Sequence, residues 1–141
     1  AIKEKNNRPT KKENYLKIAK VVSERSTCNR AHAGAIIVKN DVIISTGYSG
    51  SPRGEPNCCD IGSCKREILK ITPGERYELC ESVHAEVNAI INSARAGNTS
   101  LIDSVMYLYF ERLDRINSKI ELCKMCTRII KNSGITELIH N

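Results

Sequence analysis

The sequence has few aromatic side chains and no long hydrophobic segment. Its 141 residues include no Trp and one Phe, so the core must be built mainly from aliphatic side chains. No run approaches the roughly 18 apolar residues of a membrane-spanning helix, and the first ten residues are mostly polar. We therefore expect neither a membrane protein nor a secretory signal. The length suits one domain, expected over residues 1–141.

Positive charge is scarce outside the N-terminus. The net charge is +6, from 22 basic and 16 acidic residues. Residues 1–12 contain five Lys or Arg and one Glu, which leaves +2 for the rest of the chain. This distribution predicts a basic N-terminal arm over residues 1–10 instead of a basic binding face. It argues against a nucleic-acid partner and remains compatible with a small anionic substrate.

The order of apolar patterns predicts an α/β domain. Thr10 and Glu13 form a capping box that predicts a helix over residues 11–25. Two β-rich runs joined at Asn40-Asp41 predict a hairpin with strands at 33–38 and 42–46. Further helices and strands are predicted at residues 82–96, 105–110, 123–132 and 135–139. This order predicts three layers, with helices on both faces of the sheet.

Cysteine is abundant, with seven residues in the chain. Without an export signal we expect a cytoplasmic location, where clustered cysteines bind metal more often than they form disulfides. Residues 47–79 are rich in Gly and Pro and contain Cys58, Cys59 and Cys64. Such a long loop needs internal support, which metal ligation would supply. The alternative is that some of these cysteines are buried small hydrophobic residues.

Two short motifs indicate a catalytic metal site: His84-Ala85-Glu86 and Cys123-x-x-Cys126. The two cysteines share one helical face at a predicted helix start, where backbone N–H groups favour thiolates. With His84 they would give zinc three protein ligands and one open position, which is typical of catalytic zinc. Glu86 is close enough in sequence to move protons beside that ion. A redox Cys-x-x-Cys pair is the competing interpretation, but such pairs follow a first strand early in a chain.

Together with these motifs, several segments resemble the deoxycytidylate (dCMP) deaminase family of the cytidine-deaminase-like, zinc-dependent superfamily. They are RSTC at 25–28, GAIIVK at 34–39, ISTGYSGSP at 44–52 and HAEVNAI at 84–90. The resemblance runs from about residue 16 to residue 139. It implies an α/β/α sandwich with a mixed sheet of four to five strands, and hydrolysis of dCMP to dUMP with release of ammonia.

The resemblance also assigns roles to individual residues. It implies a catalytic zinc on His84, Cys123 and Cys126, with Glu86 as the proton shuttle. It implies substrate contacts at the backbone N–H of Ala85 and at Asn88, Ser49 and Ala35. Candidate donors to the substrate phosphate are Arg30, Arg53 and Arg112. Family members are usually homo-oligomers, so a homo-oligomer is expected.

A second, structural zinc is also implied by the resemblance, with ligands at Cys28 and Cys58. Cys64 and Cys80 could complete a closed four-thiolate site, the pattern of structural zinc. The choice of Cys58 over Cys59 rests on the family match, because spacing alone does not decide it.

The chain departs from the family pattern at three points, of which Ser49 and the longer connection border the expected pocket and leave the substrate open, whereas Leu122 should matter little. Ser49 stands where the family has Asn, Leu122 stands where it has Pro, and residues 111–121 form a longer connection. The alternatives are deamination of another base or nucleoside (cytosine, cytidine, guanine or tRNA adenosine). A further alternative is a non-catalytic zinc module that binds a nucleotide or a partner protein.

Overall fold

The computed structural model describes residues 7–28, 30–62, 65–72, 82–97, 100–113 and 122–141. Within these ranges a four-stranded mixed sheet carries helices on both faces, which confirms the predicted α/β sandwich. The elements in chain order are α1 Lys11–Ser23, β1 Ala31–Lys39, β2 Val42–Tyr48, α2 Cys58–Ile61, α3 Lys65–Ile68, α4 Ala85–Arg95, β3 Val105–Arg112, α5 Lys124–Ser133 and β4 Glu137–His140. None of the described helices is long and apolar enough to cross a membrane.

The strand order in the sheet is β2-β1-β3-β4. β1 is antiparallel to both of its neighbours, and β3 and β4 run parallel, joined by a crossover that contains α5. The predicted hairpin between β1 and β2 is confirmed. Asn40 and Asp41 at its turn have φ values of 52° and 62°, which is the left-handed conformation that a two-residue hairpin turn requires.

Two separate cores cover the two faces of the sheet. On one face α1 packs against Ile36, Val38 and Tyr107 through Ala19. On the other face α4 and α5 cover a second cluster, which consists of Ala33, Ala35, Ile37, Ala85, Ala89, Met106, Leu108, Ile130 and Ile135. Apart from Tyr107, the members of both clusters are aliphatic residues or Met, as the composition predicted. This division places α4 and α5 side by side on one face.

The structure corrects the predicted boundaries at several points. α4 begins at Ala85 and not at residue 82, because Val83 pairs with Gly50 in an antiparallel bridge and His84 is the extended N-cap. β1 and β3 are longer than predicted. The region predicted as one long loop contains the end of β2 and the one-turn helices α2 and α3. Residues 73–79 of that loop and residues 114–121 of the later connection lie outside the described ranges.

Candidate active site

Two neighbouring helix N-termini carry the predicted metal ligands. His84 is the N-cap of α4, and Cys123 is the N-cap of α5. The Cys123 thiol accepts a hydrogen bond from the backbone N–H of Cys126 at 3.3 Å. This bond satisfies one of the N–H groups that a helix start leaves without an intrahelical partner. Because α4 and α5 contact each other, the two capping residues lie close together.

The three predicted ligands form one cluster. The ligand atoms of His84, Cys123 and Cys126 all lie within 4.8 Å of one another, and His84 Nδ1 is 3.2 Å from Cys126 Sγ. Zinc binds Cys sulfur at about 2.3 Å and His nitrogen at about 2.0–2.1 Å, so ligands of one tetrahedral ion lie about 3.3–3.8 Å apart. The observed separations are of that order. One imidazole and two thiols are donors that zinc prefers, so these residues fit the ion.

The environment of Cys126 also fits a cation. Its side chain is buried, with 2% of its surface exposed. Burial is the main cause that raises the pKa of the Cys126 thiol, and the nearby Glu86 carboxylate and Cys123 raise it further. A thiolate there is therefore unfavourable without a positive charge beside it. A divalent ion supplies that charge and stabilises the thiolate, which is the form that binds metal.

Glu86 lies in the first turn of α4, beside the cluster. Its side chain is 6% exposed and lies close enough to the Cys126 thiol to raise the pKa of that thiol. A buried carboxylate beside a metal cluster is suited to take up and release protons. Ala85, the first residue of α4, is fully buried. The N–H groups of a first helical turn have no intrahelical acceptor, so a ligand carbonyl can accept from them.

Of the residues implied as substrate contacts, Ser49 follows the end of β2 and Ala85 and Asn88 lie in the first turns of α4, whereas Ala35 lies in the middle of β1. The side-chain amide of Asn88 donates to the carbonyls of Tyr48 at 2.8 Å and Val83 at 3.2 Å. The backbone N–H of Ser49 donates to Ala33 at 3.1 Å. Ala35 is fully buried in the core beneath α4. Asn88 thus joins the end of β2 to the segment that precedes His84.

Two of the candidate phosphate donors, Arg30 and Arg53, contact side chains on other elements of the fold. Arg30 Nε lies 3.1 Å from the Glu67 carboxylate. Arg53 Nη2 donates to Asn92 Oδ1 at 2.6 Å. The third, Arg112, is the last residue of β3.

Residues 9–141 match the sequence model of the family described as the cytidine and deoxycytidylate deaminase zinc-binding region. The chain belongs to this family. It is 32% identical to the deoxycytidylate deaminase of Enterobacteria phage T4 over 154 aligned positions, which cover 89% of this chain and 74% of that protein. It is 31% identical to the deoxycytidylate deaminase of Mycobacterium phage D29 over 138 positions, which cover 94% and 95%.

A solved structure agrees with this assignment to the cytidine and deoxycytidylate deaminase family. The dCMP deaminase from the cyanophage S-TIM5, in complex with dCMP and dUMP, superimposes with a TM-score of 0.68. The two are 27% identical, and the match covers 94% of this chain and 82% of that chain. The family resemblance inferred from the motifs is confirmed, and so is the fold that it implied.

Among the described residues of this deaminase-family chain, three further cysteines do not belong to the cluster of His84, Cys123 and Cys126. Cys58, the first residue of α2, is buried, Cys28 is partly exposed and Cys59 is exposed. The backbone N–H of Cys59 donates to the carbonyl of Thr27 at 3.0 Å, so the segments that carry Cys28 and Cys58 are adjacent. Cys64 and Cys80, the other two predicted ligands, lie outside the described residues.

Sequence reasoning missed two residues that hold the deaminase-family helix α4 against β2. Asn92 Nδ2 donates to the carbonyl of Thr46 at 2.8 Å, and Ser45 Oγ donates to the carbonyl of Ala89 at 2.6 Å. Asn88 and Asn92 are four residues apart and therefore share one face of the helix. The four-residue spacing of these two amide side chains was the sequence signal that could have identified Asn92.

Proposed function

We propose that this chain is a zinc-dependent hydrolase that converts dCMP and water to dUMP and ammonia, in pyrimidine deoxynucleotide metabolism. The observation that carries the proposal is the cluster of His84, Cys123 and Cys126 with the buried Glu86 against it. The relatives from phages T4 and D29 are deoxycytidylate deaminases. The similar cyanophage enzyme was solved with dCMP and dUMP, which are the substrate and product of this reaction.

The chain's own residues divide the chemistry between them. Zinc held by His84, Cys123 and Cys126 would act as a Lewis acid that lowers the pKa of water towards neutrality. Glu86 takes one proton from the water and passes it to ring N3 of cytosine as the water oxygen bonds to C4. It then takes the second proton from that oxygen and delivers it to the amine, which leaves as ammonia when the C4–N bond breaks. It ends the cycle as the carboxylate that it was at the start. The burial of Glu86 limits exchange of these protons with bulk water.

Substrate positioning is assigned to the start of α4 and the end of β2. The backbone N–H of Ala85 would donate to the pyrimidine carbonyl. Asn88 would contact the nucleotide through Oδ1, because its Nδ2 already donates to two backbone carbonyls. Ser49 and Ala35 complete the proposed set. Arg30, Arg53 and Arg112 remain candidates for the phosphate. Each would have to exchange a protein contact for it, which is Glu67 for Arg30 and Asn92 for Arg53.

The proposal includes a second, structural zinc on Cys28, Cys58, Cys64 and Cys80. It is supported by the contact between the Thr27 and Cys59 backbones, which brings two of the four segments together. A closed four-thiolate site would hold the Gly- and Pro-rich loop against the segment that follows α1.

Self-association and a cytoplasmic location complete the proposal. Exposed apolar side chains on adjacent helices support a homo-oligomer: Ile91 on α4, and Met125 and Ile129 on α5. Light scattering of the purified protein measures the assembly state. A monomer that keeps full activity on dilution would contradict the homo-oligomer.

The function is tested by measuring ammonia release from dCMP, CMP, dCTP, deoxycytidine, cytosine and guanine. We expect dCMP to have the highest kcat/KM. Glu86→Gln should retain zinc and lose activity by about 10²–10⁴-fold, the usual contribution of general acid–base catalysis. Glu24→Gln at the exposed end of α1 is the matched control, and it should behave as wild type.

Other outcomes would identify the rival functions. Highest activity on cytosine, guanine or deoxycytidine would replace the proposed substrate and keep the mechanism. Ammonia release from none of these compounds, with zinc bound, would support a non-catalytic zinc module. More than a few per cent of activity left in Glu86→Gln would refute the role given to Glu86.

A further inference from the structure

Polar side chains fasten α4, the helix that presents His84 and Glu86, to the backbone of strand β2. Asn88 donates to the carbonyl of Tyr48 and Asn92 donates to the carbonyl of Thr46, both at 2.8 Å. Ser45 Oγ donates in the opposite direction, to the carbonyl of Ala89 at 2.6 Å. We call these three hydrogen bonds the α4–β2 seam.

The spacing of the seam matches the geometry of both elements. Asn88 and Asn92 are one helical step of four residues apart, or about 6 Å along the axis. Thr46 and Tyr48 are alternate residues of a strand, about 6.6–6.8 Å apart. Among the described strands β2 lies at the edge of the sheet, so none of them pairs with the carbonyls on its outer side. A slip of the helix by one residue would break both amide bonds, so the seam defines the axial register of α4.

Close packing at Gly47 and a short β-bridge connect the seam to His84, the proposed metal ligand at the start of α4. Gly47 lies between the two carbonyls, and a Cβ built on it would fall less than 3.0 Å from the backbone of Ala85 and Ala89. Beyond β2, Gly50 and Val83 exchange backbone hydrogen bonds of 3.1 and 2.7 Å. His84 follows Val83 directly. The start of α4 is therefore fixed to the chain that leaves β2.

We infer that Asn92 is a positioning residue of the active site. By its bond to Thr46 it sets the axial register of α4 on the sheet, and so the positions of His84 and Glu86 relative to Cys123 and Cys126 on α5. Asn92 is about 12 Å from His84 along the helix axis, at 1.5 Å per residue, so it acts through the helix and does not touch the reacting atoms. Asn is also a poorer helix former than Ala, so helix propensity does not explain its presence.

Two substitutions of Asn92 distinguish the effect of its hydrogen bond to Thr46 from the effect of its hydrogen bond with Arg53. Asn92→Asp keeps an oxygen for Arg53 but loses the donor to Thr46, whereas Asn92→Ala loses both bonds. Arg95→Ala, at the exposed last residue of the same helix, is the matched control. The readouts are zinc affinity by chelator competition, the absorption spectrum of the cobalt-substituted protein, and kcat and KM for dCMP.

We expect both Asn92 variants to lose about tenfold in zinc affinity and about tenfold in kcat, as displaced ligands and a displaced proton shuttle would cause. KM of Asn92→Asp should stay within about twofold, because this variant keeps an oxygen for Arg53, the candidate phosphate donor that contacts position 92. The cobalt spectrum should change in both variants, and Arg95→Ala should match wild type throughout. The kinetic readout rests on the proposed function, whereas the two metal readouts do not.

Three results would overturn the inference. Wild-type behaviour of Asn92→Asp would assign the effect to Arg53 and not to the seam. Unchanged zinc affinity and cobalt spectrum, in variants that circular dichroism shows to be folded, would reduce Asn92 to a structural residue. If neither Asn92 variant folds, Ser45→Ala removes a different seam bond, and unchanged zinc affinity in that variant would refute the register argument. If wild type releases no ammonia, the proposed function is refuted. The zinc affinity and the cobalt spectrum of the variants would then still test the positioning role of Asn92.

Discussion

Gly47 is the residue at which β2 and α4 come closest, because a Cβ there would collide with the backbone of Ala85 and Ala89. We expect Gly47→Ala to lower the free energy of unfolding by about 1–3 kcal/mol, the usual cost of overpacking. The collision should also move α4 away from the sheet and carry His84 with it. Urea unfolding and chelator competition for zinc measure the two effects.

Gly34 provides a matched control on the opposite face of the sheet. A Cβ there would collide with the backbone of Ala19 and Ser23 in α1, a helix that carries no metal ligand. Gly34→Ala should therefore cost a similar free energy of unfolding and leave zinc affinity close to wild type. Equal loss of zinc affinity in both variants would contradict the link between helix position and metal binding.

The side chains of the candidate site were predictable because residue types at fixed spacings indicate metal binding and proton transfer. His84, Glu86, Cys123 and Cys126 were all identified from the motifs, and the structure brings them together. The partners of Asn88 were not predictable, because they are backbone carbonyls that only the folded chain places beside its amide. Any residue has such a carbonyl, so sequence offers no signal for them.

At the scale of elements, a clamp holds α1 to the β1–β2 hairpin. The Asp41 carboxylate accepts from Lys11 Nζ at 2.9 Å and from the Tyr15 hydroxyl at 2.7 Å. These hydrogen bonds, that of Lys11 first, hold the pKa of Asp41 below its usual value. The clamp therefore stabilises the fold above a pH of about 4, and the contribution is lost as pH falls through the lowered pKa.

Asp41→Asn tests the clamp because Asn tolerates the positive φ of this turn position. We expect wild type to exceed this variant in free energy of unfolding by a constant amount from about pH 5 to pH 9, and by less towards pH 2–3. Asp103→Asn is the control, since Asp103 also has a positive φ and makes no ion pair among the described residues. A pH-independent difference for Asp41→Asn would contradict the clamp.

The predicted elements were most accurate where local chemistry decides their ends. The Thr10 hydroxyl does accept from the Glu13 N–H, at 3.2 Å, and α1 begins where the capping box predicted. Asn40-Asp41 does form the hairpin turn. The start of α4 was placed too early, because the bridge between Gly50 and Val83 is a long-range pairing that overrides a continuous apolar pattern.

At the scale of the molecule, the sheet brings distant parts of the chain to one site. α4 follows the hairpin and the long loop, whereas α5 is the crossover between the parallel strands β3 and β4. Both helices lie on the same face and present their N-termini to one place. The N-terminal ends of helices favour thiolates and carboxylates through the helix dipole, so this arrangement stabilises the ionised ligands together with the metal.

The number of zinc ions per chain tests the proposed second site, which would connect the Gly- and Pro-rich loop to the rest of the domain. We expect about two zinc ions per chain, with the four-thiolate ion released later by chelators because no coordination position is open to them. Cys58→Ser should lose that ion and thermal stability first, and activity as a consequence. Cys59→Ser, at the neighbouring exposed position, is the matched control and should keep both ions. One zinc per chain, with Cys28 and Cys80 freely reactive in native protein, would remove the second site and leave the deaminase proposal intact.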